Sequence, residues 1–463
     1  MSLFVKDRVF YQKLLYIAIP VSLQGIVMFG LNVTDTVMVG RLGEASIAGV
    51  ALGNQFSFLY QVTCFGIAAG MGVLTAQFWG KEDRDAIRAG LSIIIRIAFV
   101  VGTIFMIAAL CFPTHIMGIY STDVAVKAEG AAYLRLLALG YLLVGLMTMS
   151  ASTLRTVGVV RLMLLANCVA LVLNVFFNWM FIFGNLGAPR LGTAGAALST
   201  TICRLIEFGI VMVYLLKIDS RIRFKLHMLR KWDKEIFRNY FKNGVPVMVS
   251  DMFLGVGGNM VSVILGRMGT AVISASSITN VVLQMSAVFL MGVSNASGII
   301  TGNTIGAGEY EKAKGYGKTF LALAAIISVF TVACIQLVKN VVFQEIMIGG
   351  SPFLLFHVEE STKEVAMQLF NATSVIVVFM ALSHMLTKGI LRAGGDTRFL
   401  MVIDVVFLWA VSLPLGFLTG LYFKLPPYVV FFCLRSDEVI KSIWCLFRFF
   451  GGKWMRDVTI KAD

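Results

Sequence analysis

The chain has 463 residues, of which 58% are hydrophobic and only 14% charged, and its mean hydropathy is +0.86. Soluble domains run at about 45–50% apolar and about 25% charged, so this composition excludes an ordinary soluble protein and marks an integral membrane one. The formal charge of +14 does not indicate nucleic acid, because the basic residues are spread between apolar runs rather than gathered on one domain.

Lys6, Arg8 and Lys13 precede the first apolar run in the manner of a signal peptide. The run is too long for one and lacks a small-residue cleavage site, which predicts a retained first span. It holds Pro20, a candidate hinge, since proline frees a backbone carbonyl and bends its helix. It also holds Asp35, the one charged residue among the 27 between Lys13 and Arg41. A carboxylate at bilayer depth costs about 2.5–3.5 kcal/mol on insertion scales, which makes Asp35 a functional candidate.

Apolar stretches lie near 14–39, 46–72, 90–112, 131–154, 162–184 and 193–216. After a charged segment, six more lie near 244–266, 271–300, 318–338, 366–391, 399–422 and 427–448. Each is long enough for the roughly 20 residues that a crossing helix needs. The last is interrupted by Arg435, Asp437 and Glu438. The expected fold is an all-α membrane protein of twelve transmembrane helices. Residues 1–216 form an N-terminal six-helix half, 217–242 a cytoplasmic basic linker, and 243–463 a C-terminal six-helix half with a cytoplasmic tail.

Loop charge supports that count. Loops after even spans are the basic ones, led by nine Lys or Arg from Lys217 to Lys242, whereas the alternate loops carry one or two each, such as Arg41 and Arg267. Basic loops stay inside, so both termini and the linker are expected in the cytoplasm of a cell-membrane protein.

Few polar residues interrupt the spans. Asn54 in span 2 and Asn280 and Gln284 in span 8 are candidates for a substrate path or for helix–helix hydrogen bonding. Asn174 and Asn178, four apart, share one face of span 5. Arg204 and Glu207, three apart in span 6, are placed to neutralise each other. Asp251 in span 7 and His384 in span 10 are ionisable candidates in the substrate pathway. Asp404, six residues from Arg398, reads as a cytoplasmic gate or an ion pair. The seven cysteines all lie in or beside apolar segments without a CxxC, as buried small hydrophobes rather than a disulfide or zinc framework.

The two halves repeat. Pro20-Val21 recurs as Pro246-Val247, and the same offset carries Gly40-Arg41-Leu42-Gly43 onto Gly266-Arg267-Met268-Gly269 and Asn54 onto Asn280. Leu154-Arg155-x-x-Gly158-x-x-Arg161 returns as Leu391-Arg392-x-x-Gly395-x-x-Arg398. Six spans per half make the repeat parallel, an arrangement used by transporters that bind substrate near the midplane. Asp35 maps onto Val261, so the carboxylate belongs to one half alone. The stretch AKGYGKTF at 313–320 is not a phosphate loop, since Lys312 stands where the first glycine is required. With no ATP-binding loop, an ion gradient is the expected energy source, and no cofactor is implied.

The pattern Pro20…Asp35-Thr36…Gly40-Arg41-Leu42-Gly43, then Gln77-x-x-Gly80, resembles the multidrug and toxic compound extrusion (MATE) family. So do Asn174…Asn178…Phe183-Gly184…Gly192-x-x-Gly195-Ala196-Ala197, Leu391-Arg392-Ala393-Gly394-Gly395-Asp396-Thr397 and the closing Gly452-Lys453-Trp454. The resemblance implies a V-shaped pair of six-helix lobes, monomeric in the lipid bilayer. It implies export of small amphipathic, often cationic compounds in exchange for protons or sodium ions. It further implies coupling at Asp35 with Asn174, Asn178 and Thr200, and a sodium ion, where one is used, at Asp35, Asn174 and Asn178. Archaeal and related members carry aspartate where this chain has Asn178, which leaves one carboxylate and the coupling ion open. The family's span-7 glutamate and span-10 aspartate correspond here to Leu254 and Ala381. A lipid-linked-sugar flippase of a related branch would call for a cationic cavity, where these spans offer acids and amides. A membrane-embedded enzyme would call for catalytic groups at one depth, and none is visible.

Overall fold

A long apolar run has to satisfy every backbone N–H and C=O within its own segment, and helices do so. The structure, a computed structural model, describes residues 4–230, 232–342, 346–348, 351–353 and 360–459. Its first half comprises α1 (Arg8–Gly40), α2 (Glu44–Gly80), α3 (Arg84–Cys111), a short α4 (Pro113–Tyr120), α5 (Val124–Thr156), α6 (Arg161–Phe183) and α7 (Thr193–Val213). The second half follows with α8 (Lys234–Arg267), α9 (Thr270–Ser286), α10 (Val288–Gly306) and α11 (Tyr310–Val342). A small antiparallel hairpin, β1 (Ile346–Ile348) and β2 (Ser351–Phe353), precedes α12 (Glu360–His384), which continues through a π-helical turn into α13 (Leu391–Ala393). Then come α14 (Thr397–Val406), α15 (Leu413–Phe417), α16 (Pro427–Leu434) and α17 (Ser436–Phe450). The hairpin and α4 lie between predicted spans and have no counterpart in the sequence reading.

Among the described residues, nine helices are long and apolar enough to cross a membrane, and ten if the bent pair α9–α10 is one span. The chain is a multi-pass membrane protein. The predicted spans at 193–216 and 427–448 are helical but fall outside that set. The first carries Arg204 and Glu207, and the second breaks at Arg435 and carries Asp437, Glu438 and Lys441. The predicted single span at 271–300 is the bent pair, with 49° between its two helices. No proline or glycine stands at the break. Instead, neighbouring hydroxyls bond the carbonyls there: Thr331 Oγ1 donates to Ser286 O at 3.4 Å and Ser22 Oγ to Val288 O at 3.3 Å. Side chains that enter the hydrogen-bond ladder in this way bend helices.

The chain forms two compact units, one holding the chain up to Ser22 with Met252–Val458, the other holding Leu23–Asp251. Each boundary falls inside a helix rather than at the basic segment 217–242. That of α1 lies two residues after Pro20, and that of α8 five residues after Pro246.

The repeat is visible in backbone conformation. Gly43 and Gly269 open α2 and α9 at φ of 112° and 127°, and Gly158 and Gly395 sit at 89° and 83°. Side chains with a Cβ avoid that region, which is why these four positions are glycine in both halves. The segments that follow each half's sixth span are docked in parallel ways. The Arg221 guanidinium donates to Val157 O, and the Arg456 backbone N–H donates to Gly394 O, the repeat equivalent of Val157. The predicted linker is therefore partly folded onto its own half. Asp219 accepts from the backbone N–H groups of Ile222 and Arg223, and Ile222 and Phe224 are buried.

Within the Leu23–Asp251 unit, α2 and α8 meet backbone to backbone. A Cβ on Gly70 would lie 2.5 Å from Gly244 O. Such small-residue crossings carry membrane helix packing, where no hydrophobic drive separates protein from lipid. Gly70→Val is expected to destabilise the protein by about 1–3 kcal/mol, as overpacking does, and to lower the melting temperature of the detergent-solubilised protein. Gly209→Ala, with open space around it, serves as the neutral control.

Candidate functional site

The residues predicted around Asp35 come together. Asn174 and Asn178 are one turn apart on α6, which Gly184 ends in a left-handed cap, and both are almost wholly buried, at 1% and 0% exposure. Asn178 Nδ2 donates to Asp35 Oδ1 at 2.5 Å and to Asn174 Oδ1 at 3.0 Å. Ser199 Oγ of α7 donates to the Asn174 backbone carbonyl at 3.3 Å, tying α7 to the same face of α6. Thr200, the adjacent α7 residue, is half-buried.

A carboxylate in an apolar bundle is thus met by an amide rather than by a cation. Two polar atoms of the group are left over. Asn178 Oδ1 and Asn174 Nδ2 are buried without a hydrogen-bond partner. An unmet buried acceptor beside a carboxylate is the donor set a hard cation uses, so these residues fit a bound sodium ion. They equally fit a protonated Asp35, whose O–H needs an acceptor.

One turn further along α7, Arg204 donates to Glu207 at 2.7 Å, with Glu207 buried at 1%. The guanidinium is therefore spent on its own helix, as the spacing predicted. Asn54 accepts from Tyr133 Oη at 3.0 Å, a helix–helix bond between α2 and α5. Asp251, half-buried on α8, closes this unit.

The remaining candidates lie in the other unit. Asn280 is half-buried and Gln284 exposed, four residues apart on α9. Asp404 is buried on α14 and faces Lys441 of α17 at 3.7 Å, an ion pair with a residue other than Arg398. Lys441 also reaches Asp437 at 2.8 Å and Glu438 at 3.5 Å, and His384 Nε2 lies 4.0 Å from Glu438. The acids that interrupt the last apolar run are turned inward around a lysine buried at 3%. The sequence reading passed over Lys441. Its spacing of four from Asp437 and three from Glu438 was the available signal.

The family model MatE matches residues 20–180 and again 246–418. The chain is 23% identical over 453 residues to the probable multidrug resistance protein NorM of Thermotoga maritima, covering 98% of this chain and 95% of that one. It is 26% identical over 425 residues to the protein of the same name from Halalkalibacterium halodurans, covering 89% and 88%. Among solved structures it superposes on an outward-facing multidrug resistance MATE family transporter of the MOP superfamily. The TM-score is 0.83 at 18% identity, over 95% of this chain and 96% of that one. A MOP superfamily transporter from Pyrococcus furiosus, described as having a binding pocket of reversed polarity, gives 0.83 at 17% identity over the same shares. At those identities the structures speak for the fold alone. The family match begins each time at the repeated proline, Pro20 and Pro246, and with both halves matched in order the chain belongs to the MatE family of transporters.

Proposed function

We propose that this protein is a multidrug efflux antiporter of the cell membrane. It exports small amphipathic, often cationic compounds against an inward flow of protons, with Asp35 as the group for which proton and substrate compete. The observation that carries the reading is the chain of bonds from Asp35 through Asn178 to Asn174. A single carboxylate accepts one positive charge at a time. A proton or a cationic compound can hold it, and an exchange of one for the other is antiport.

The amides supply the chemistry of that exchange. With Asp35 ionised, Asn178 presents its N–H to the carboxylate. Once Asp35 takes a proton, the need inverts, because its O–H requires an acceptor. Rotation of the Asn178 amide brings the unbonded Oδ1 into that place. A matching rotation of Asn174 keeps the bond between the two amides, now with Asn174 Nδ2 donating. Both atoms left over in the present arrangement, Asn178 Oδ1 and Asn174 Nδ2, become bonded in the alternative one. The same rotation would offer oxygen to sodium, but a site with one carboxylate holds sodium less firmly than one with two. Thr200, the residue after Ser199 on α7, is the expected further oxygen donor. Alternating access then requires α1 and α8 to bend, for which Pro20 and Pro246 are the candidate hinges.

A lipid-linked-sugar flippase is disfavoured because Arg204, the cation nearest this group along α7, is paired to Glu207. We take the protein to work as a monomer in lipid, with both termini and the basic segment in the cytoplasm. Lys225→Cys, at an exposed position of that segment, placed in a background without native cysteines, should be labelled by impermeant maleimide only from the cytoplasmic side. Labelling from outside intact cells would reverse the orientation.

Asp35→Asn keeps the shape of the side chain and a hydrogen-bonding partner for Asn178 but removes the titratable charge. It should reach the membrane in wild-type amounts yet lose at least ten-fold in uphill ethidium efflux from vesicles with an imposed pH gradient. Wild-type pumping by this variant would make Asp35 structural. Asn178→Asp, in turn, adds a second negative ligand and should bring in a sodium dependence that the wild type lacks. A wild type that requires sodium and ignores the pH gradient would refute proton coupling.

A further inference from the structure

Inside the unit that holds Met252–Val458 lies a cavity of about 300 Å³. One wall is apolar and small, made by Gly255, Gly258 and Val261 of α8 with Leu408 and Leu434. A Cβ added to Gly258 would meet nothing within 4 Å, so that wall is open. The facing wall carries the acids gathered around Lys441. Val261 is the repeat equivalent of Asp35, so the cavity occupies in this half the place that the carboxylate marks in the other.

Most of the charge on the facing wall is consumed. The Lys441 ammonium has three N–H groups and three carboxylates before it, at 2.8, 3.5 and 3.7 Å. Two groups of opposite sign are not consumed. Glu438 Oε1 faces Lys441 and His384, and its Oε2 is buried with only the Ser383 hydroxyl as a neighbouring donor, on a residue exposed by only 6%. Arg435, three residues earlier, lines the same cavity, acts on Asp437 and Glu438 through charge alone, and makes no hydrogen bond or ion pair through its guanidinium with any described residue. The two stand one turn apart without pairing to each other. A buried carboxylate oxygen short of donors is costly, and that cost is recovered when a ligand supplies one.

We infer that this cavity binds a small zwitterion, whose carboxylate is taken by Arg435 and whose ammonium is taken by Glu438 Oε2, with its apolar body against the α8 wall. The planar guanidinium fork matches a carboxylate in bidentate fashion. The ammonium lies where Glu438 has its open oxygen, beside His384. A volume of about 300 Å³ sits at the small end of ligand pockets, of the order of one aromatic amino acid rather than a multi-ring compound. The inference rests on the transport reading only for the use made of the bound molecule, since binding itself needs neither an ion gradient nor Asp35.

The test is calorimetric titration of the purified full-length protein in detergent, without a gradient, with three probes of one shape. Tryptophan carries both charges, tryptophan methyl ester only the cation, and N-acetyltryptophan only the anion. Tryptophan should bind saturably and each single-charge analogue at least ten-fold more weakly. Arg435→Gln should weaken tryptophan ten-fold or more and leave the ester unchanged. Glu438→Gln should weaken tryptophan and the ester and leave N-acetyltryptophan unchanged. Should Glu438→Gln fail to fold for want of a carboxylate near Lys441, Arg435→Gln, whose guanidinium holds nothing in place, decides alone. No saturable tryptophan binding, equal binding of all three probes, binding of the ester only, or indifference to Arg435→Gln would each overturn the proposal. Loss of ethidium efflux with tryptophan binding intact would count against antiport alone, and the reverse against this site alone.

Discussion

A charged group inside an apolar helix bundle has to be answered by the protein, because no water is there to answer it, and much of this structure depends on how that is done. In the Leu23–Asp251 unit the answer to Asp35 is a pair of amides. In the other unit the answer to Asp404, Asp437 and Glu438 is a buried lysine. The two solutions differ in what they permit. An amide can turn either its N–H or its oxygen toward a neighbour, so it serves an ionised and a neutralised carboxylate alike. An ammonium can only donate, so it answers charge with charge and has no second way to face a neighbour. The first arrangement suits a group that changes charge during a cycle. The second suits a permanent wall.

The repeat separates what a fold requires from what function adds. Glycines with positive φ recur at equivalent turns, Gly43 with Gly269 and Gly158 with Gly395, because those connections need a backbone that other residues resist. The docking of the segment after each half's last span recurs too, on the equivalent carbonyls of Val157 and Gly394. The intramembrane acids do not recur at matched positions. Asp35 answers to Val261, and α17 carries Asp437 and Glu438 where α7 carries Glu207 alone. Duplicated packing has been kept while each half acquired its own polar interior, which is the form expected where the halves do different work.

How the chain divides bears on the same point. Both boundaries between the compact units lie within helices, near prolines that the repeat relates to each other. A proline removes one hydrogen bond from the ladder of the helix that holds it. The basic segment 217–242 reads as a linker by composition. By structure it is a strap folded onto its own half through Arg221, Ile222 and Phe224.

The sequence by itself determined the helical membrane class, the places of the twelve helical stretches, the parallel repeat and the isolation of Asp35. These rest on local physics: the length of apolar runs, the cost of charge in lipid, and glycine at turns. It also carried the Asn174–Asn178 and Arg204–Glu207 pairs, since spacings of four and three are visible along one helix. Only the tertiary structure decided which helices those pairs face. Nothing local says that Asn178 points its N–H at a residue 143 positions away, or that Asp404 pairs with Lys441 rather than with the nearby Arg398. The bend at Ala287 was hidden for the same reason, because the hydroxyls that accompany it come from Ser22 and Thr331. The acids of the last span read as an interruption because hydropathy counts each residue alone. Folding turned them toward one lysine, and burial together, with charges matched, is what made them tolerable.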